Sequence, residues 1–227
     1  AWQDWIDWEH HFQSANLESV KKFPLTPTQR LTERAMGSIS RSFYDPTHQN
    51  LVGAFRYPGV IAHVGVLSLE DGQIRRLTNL KGPLLYKVTS FAYDPHGNRG
   101  WYTDKNSGYR DLLEIDVASG NTKLLLKDAR IGDLVFNPQD QSIWGIRHMN
   151  GLVTLVRIPP PYTSWNQVHT FNYGEILFDL DISRDGQFLS ASVGEINGDQ
   201  TERVFRLSDL LAGDTIEVAK FQLGSSM

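Results

Sequence analysis

The chain has 227 residues, 40% of them hydrophobic and 21% charged, with a formal net charge of −4 and no cysteine. That is enough apolar material for one large core or an array of stacked units, and it excludes disulfide frameworks, thiolate nucleophiles and cysteine metal sites. The 26 acidic residues outnumber 22 scattered basic ones, so no long-range field attracts a phosphate backbone and nucleic acid is not an expected partner.

No window approaches the roughly 18 apolar residues of a membrane span. The opening Ala1-Trp2-Gln3-Asp4 lacks the basic and apolar regions of a signal peptide. No membrane insertion is expected. Missing cysteine suits either redox compartment.

Trp2, Trp5, Ile6, Trp8, Phe12, Leu17 and Val20 punctuate a polar segment at three- and four-residue steps, with Asp4, Asp7 and Glu9 early and Lys21 and Lys22 late. This predicts an amphipathic helix whose charges complement its macrodipole. Tryptophan favours lipid interfaces, but the acidic polar face opposes anionic lipid, so packing against a neighbouring domain is the expectation. Residues 1–24 are therefore read as a helix and linker from a preceding domain, and residues 25–227 as the repeat region. Next, Pro27-Thr28-Gln29-Arg30-Leu31-Thr32 resembles Gln73-Ile74-Arg75-Arg76-Leu77-Thr78 and predicts one extra outer strand. No three inner strands precede it, so it reads as the remnant of a cut blade or as a ring-closing strand.

Four segments then share one order of features. Each opens with an apolar stretch running into a turn: Ile39–Asp45, Val88–Asp94, Ile131–Asn137 and Leu177–Ser183. The following anchors at 46, 95, 138 and 184 are separated by 49, 43 and 46 residues, within the period of roughly 40 to 50 of a four-stranded propeller blade. Asp, Asn, Pro and Gly in each turn predict antiparallel hairpins. Second strands follow at Leu51–Arg56, Gly100–Asp104, Ser142–Arg147 and Phe188–Val193. Third strands are read at His63–Leu69, Asp111–Val117, Leu152–Ile158 and Arg203–Leu207, and fourth at Gln73–Thr78, Thr122–Lys127, Gln167–Phe171 and Thr215–Phe221. Alternation such as Leu113-Glu114-Ile115-Asp116-Val117 marks half-buried strands. The fold class is thus all-β: four full four-stranded propeller blades, about 36–80, 86–128, 131–172 and 175–222, plus the extra strand and a short N-terminal α-helix. Four blades and a spare strand leave open edges, which predicts a fragment of a longer propeller.

Strands ending in Tyr-Asp-Pro or Ser-Arg-Asp-Gly, followed by Ile-Asp-Val-Ala-Ser-Gly-Asn and a closing Arg-Arg-Leu-Thr, resemble the TolB-type propeller repeat over roughly residues 25–222. The usual turn of that repeat is Ser-Pro-Asp-Gly; here Ser183-Arg184-Asp185-Gly186 stands closest, with Arg in the place of Pro. The resemblance implies a periplasmic or extracellular location. Trp-Gln-Asp-Trp-Ile-Asp-Trp-Glu also resembles the last helix of the gluzincin peptidase-like domains that precede such propellers in some bacterial proteins.

Catalytic signatures are missing from the sequence. Glu9-His10-His11 is not a His-Glu-x-x-His zinc motif, since adjacent histidines occupy different helix faces. No Gly-x-Ser-x-Gly elbow occurs, so a hydrolase would need another domain. Asp181-Ile182-Ser183-Arg184-Asp185-Gly186 matches half of a calcium loop, but Ser192 stands where the bidentate glutamate is needed, which favours a hairpin. His63 and His169 read as packed strand residues. The sequence predicts no catalytic residue, metal or cofactor in this chain.

The candidate binding residues are those at the exits of the second strands: Arg56 with Tyr57, Asp104 with Lys105, Arg147 with His148, and Glu195. In a propeller these loops rise on one face beside the channel, where ligands of this architecture bind. A ring of inter-blade salt bridges or solvated loop charges is the competing structural reading. The resulting expectation is a non-catalytic binding or scaffolding module of a larger extracytoplasmic bacterial protein, with a protein or an adjacent domain as partner. The alternatives are a lyase- or lactonase-type enzyme with its site at the channel mouth, and a structural partner for an adjacent peptidase domain.

Overall fold

The computed structural model describes residues 1–24, 26–32, 37–81, 90–105 and 108–224. Contacts divide the chain into two compact units, Ala1–Glu33 and Arg34–Met227. The first holds helix α1 (Trp2–Val20), in which no residue is buried. Its aromatic side chains pair with each other, Trp2 on Trp5 and Trp8 on Phe12, both at 5.2 Å between ring centroids. Residues 26–32 form no strand, which corrects the expectation of an extra one. Among the described residues no strand pairs with that segment, and a lone strand leaves its N–H and C=O groups without a ladder.

The second unit contains four antiparallel sheets, each with its strands in sequence order from inner to outer. Sheet one comprises β1 (Ser38–Ile39) and β2 (Phe43–Asp45), two halves of an interrupted inner strand that both pair with β3 (Asn50–Tyr57), then β4 (Val60–Ser68) and β5 (Ile74–Asn79). Sheet two is β6 (Phe91–Asp94), β7 (Arg99–Lys105), β8 (Arg110–Asp116) and β9 (Thr122–Leu126). The third is β10 (Ile131–Phe136), β11 (Ile143–Met149), β12 (Leu152–Ile158) and β13 (Asn166–Thr170). The fourth is β14 (Ile176–Ile182), β15 (Phe188–Gly194), β16 (Gln200–Arg206) and β17 (Glu217–Gly224). This is a four-bladed arrangement of propeller type.

The period-two pattern gives each blade two faces, and the apolar faces of successive blades meet. Val52, Ala54 and Val64 of blade one pack with Phe91, Tyr102 and Ile115 of blade two. Trp101 and Leu112 meet Ile131, Ile143 and Val156 across the next interface. Trp144, Ile146 and Leu155 meet Leu189, Val193 and Phe205 across the third. A short helix, α2 (Leu207–Ala212), absent from the sequence reading, interrupts the path to β17. Leu207 and Leu210, three residues apart, bury one side of it in that third core, and Gly213 ends it in a left-handed conformation at φ 93°.

The inner hairpins repeat one device. Asp45, Asp94 and Asn137 each accept, through Oδ1, the amide of the residue two positions on, at 2.9, 3.0 and 2.9 Å, the self-capping turn that Asp and Asn favour. These turns also link blades: Tyr93 Oη donates to Asp45 Oδ2 at 3.1 Å, and Asn137 Nδ2 donates to the Gly186 carbonyl at 3.3 Å.

Candidate functional site

At the other end of the inner strands the ladders are interrupted. Pairing shifts by one residue between Gly132 and Val135 in blade three and between Phe178 and Asp181 in blade four, and β1 and β2 are separated by Ser40, Arg41 and Ser42 in blade one. Such bulges re-aim side chains at rims. Asp133 and Asp179 take the left-handed conformation there, at φ 46° and 55°, which a short polar side chain tolerates better than a branched apolar one. Arg41, Ser90, Asp133 and Asp179 each stand five residues before the turn anchors 46, 95, 138 and 184. They are one structural position in four blades.

These positions ring a cavity of about 900 Å³. All four inner strands contribute to its wall, together with Lys105, Tyr109 and Arg110 of blade two, Arg130 at the entry to β10, and His148 and Met149 of blade three. The ring is stitched by polar contacts. The Leu134 amide donates to Ser90 Oγ at 2.6 Å. Arg41 of blade one donates from Nη1 to the Leu180 carbonyl of blade four and pairs with Asp181.

Of the residues expected from the sequence, Lys105 and His148 line the cavity; the other five do not. Asp104 is buried, and its Oδ1 accepts the amides of Lys81 and Lys105 at 2.7 and 2.9 Å. Burial holds its carboxyl above the ordinary range, against the pull of those donors. Arg147, adjacent to His148 on β11, directs its guanidinium elsewhere, 4.8 Å from the Trp165 ring with Nη1 3.2 Å from Met149 Sδ.

Glu195 is claimed by the Arg203 guanidinium, which also contacts Glu175 and Glu217, at 2.7, 2.8 and 3.2 Å respectively. Burial works against the Arg203 charge, but the surrounding carboxylates more than offset it and raise its pKa. Arg56, exposed at the end of β3, pairs in register with Ser38 of the cavity wall, and Tyr57 packs beneath Gly37. The sequence reading missed the bulge positions and Tyr109, Arg110 and Arg130. The signal for the first was present: a polar residue recurs at a fixed offset before each turn, inside an otherwise apolar strand.

Among the described residues no group of three or more His, Asp or Glu side chains is placed to hold a metal ion.

No family model and no curated protein matches the sequence. The likeness is in three dimensions. A protein of Agrobacterium tumefaciens described as TolB superposes with a TM-score of 0.66 at 12% identity, over 84% of this chain and 69% of that one. TolB of Acinetobacter baumannii gives 0.65 at 13% identity, over 83% of this chain and 44% of that one. The fold is that of a TolB-type β-propeller.

An oligogalacturonate lyase in complex with manganese superposes with a TM-score of 0.50 at 14% identity, covering 82% of this chain and 52% of that one. At these identities the likeness fixes the TolB-type fold and leaves function to the site. The chain spans under half the length of the Acinetobacter TolB. Among the described residues no helix is long and apolar enough to cross a membrane.

Proposed function

We propose that this TolB-type propeller is a non-catalytic binding module of a larger extracytoplasmic protein, and that its ligand or protein segment enters the cavity at the channel mouth. The observation that carries the reading is the cavity itself. About 900 Å³ is walled by the inner strands of all four blades and furnished with Lys105, Arg110, Arg130, His148 and Asp179. Concave sites of this size, with convergent polar groups on an apolar frame, are where ligands bind. Lys105 and His148, the two sequence candidates in its wall, are assigned to ligand contact. A periplasmic or extracellular setting is supported by the TolB-type fold.

The test is selection of binders from a random peptide library, followed by affinity measurement on the Met149→Trp variant, in which a larger ring occupies the mouth. Peptides that lose about tenfold or more in affinity on that variant support the reading. Peptides that bind both proteins equally overturn it.

A further inference from the structure

We infer that the cavity selects ligands bearing carboxylates, held by Arg110 and Arg130 as a paired anion fork. The inference rests on the binding-module reading and names the chemistry of what binds. The cavity wall carries Arg41, Lys105, Arg110 and Arg130 against Asp133 and Asp179, a local positive excess in a chain whose net charge is −4. Arg41 is engaged by Asp181. Neither Arg110 nor Arg130 forms an ion pair among the described residues.

Both guanidiniums are nevertheless positioned. Arg130 Cζ lies over the Tyr109 ring, 3.4 Å from its centroid, and stacking of this kind holds a guanidinium by its face while leaving the in-plane N–H fork for an oxyanion. Its backbone conformation is left-handed at φ 57°, and its amide donates to the Arg110 carbonyl at 3.2 Å, so the two residues are tied together. Arg110 passes over Gly132, whose missing Cβ would sit 2.9 Å from its Nη1.

In the ladder, Arg110 stands opposite Lys105. Strained backbone at Arg130, a glycine cleared for a guanidinium and cations gathered where blades two and three meet converge on one function. Carboxylate is a group that such forks bind in two parallel hydrogen bonds.

The test is titration calorimetry of the whole chain with three probes: hexaglutamate, citrate and hexalysine. Citrate binding alone supports a free polycarboxylate as the ligand. Hexaglutamate binding without citrate supports an acidic polypeptide segment. Either affinity is expected to fall about tenfold or more in Arg110→Ala and in Arg130→Ala, and less in Arg130→Lys, which keeps the charge and loses the fork. Gly132→Ala, which displaces the Arg110 guanidinium without removing it, is expected to weaken binding as well. Lys123→Ala, on the exposed face of β9, is expected to change nothing.

Failure of both acidic probes overturns the inference, as does binding that persists in the Arg110 and Arg130 variants or equal binding of hexalysine. If the acidic probes fail while library peptides still bind in a Met149-dependent way, the binding-module reading stands without this refinement. If those peptides fail that test too, both readings fall.

Discussion

Ser90 Oγ of blade two accepts the backbone amide of Leu134 in blade three at 2.6 Å, across the blade interface and at the rim of the cavity. Leu134 is buried, so its amide has no water to replace that acceptor. Ser90→Ala is expected to destabilise the protein by about 1–3 kcal/mol, the cost of an orphaned buried donor. Urea denaturation measures this, and an unchanged midpoint would show that the amide finds another partner.

The Arg203 cluster is the stabilising counterpart on blade four, joining Glu175 near β14, Glu195 beyond β15 and Glu217 on β17. Arg203→Met leaves these carboxylates facing one another. Near neutral pH the loss is expected to be about 3 kcal/mol, at the low end for a broken buried pair because Glu195 and Glu217 keep some access to water. Thermal or urea unfolding reads the difference, and a loss below about 1 kcal/mol would place the cluster with ordinary surface pairs.

Acid should destabilise the propeller through two of its carboxylates. Burial opposes the charge of Asp45, but donors from His48, Thr47 and Tyr93 outweigh it and hold the pKa below 3.8. Glu175 is likewise held below 4.5, where Arg203 and Asn172 outweigh burial. Because both folded-state values are depressed, their contribution is complete above the unfolded values and is lost as pH falls through the folded ones. Unfolding free energy followed from pH 7 down to about 3 is expected to drop mainly below about pH 4.5. The drop is expected to be smaller in Asp45→Asn.

Asp104 behaves in the opposite sense. Its carboxyl is held up chiefly by burial, so its ionisation costs stability as pH rises from the unfolded value through the folded one. Asp104→Asn keeps an oxygen for the amides of Lys81 and Lys105. The variant is expected to lie within about 1 kcal/mol of the parent at neutral pH and to bind library peptides unchanged. Weakened binding would restore Asp104 to the site.

Much of the blade architecture was legible because it depends on local chemistry repeated at a fixed period. Alternating strands such as Leu113–Val117, and turn residues such as Asp45, Asp94 and Asn137, dictate hairpins wherever they occur. The extra strand at 27–32 failed because strand formation needs a partner, and likeness to β5 carries no information about one. Helix α2 was hidden by its length, with only Leu207, Leu210 and Gly213 to mark it.

The site was less legible than the fold. Residues at equivalent strand exits were expected to face the channel together, but His148 and Met149 line the cavity while the Arg147 guanidinium packs toward Trp165. Glu195 was drawn away by Arg203, a residue eight positions later whose pull on it depends on the β15–β16 pairing. Tyr109, Arg110 and Arg130 act together only because β8 and the entry to β10 meet in space.

The cavity's role as the binding site is tested most directly at Met149, one of the residues that line it. The chain has three methionines, so ¹³C-methyl-methionine NMR gives a spectrum simple enough to follow one signal, assigned with Met149→Leu. Titration with a library-selected peptide is expected to shift the Met149 methyl in proportion to occupancy, reaching a plateau when binding saturates. A Met149 signal that stays in place while the peptide saturates the protein would contradict the account.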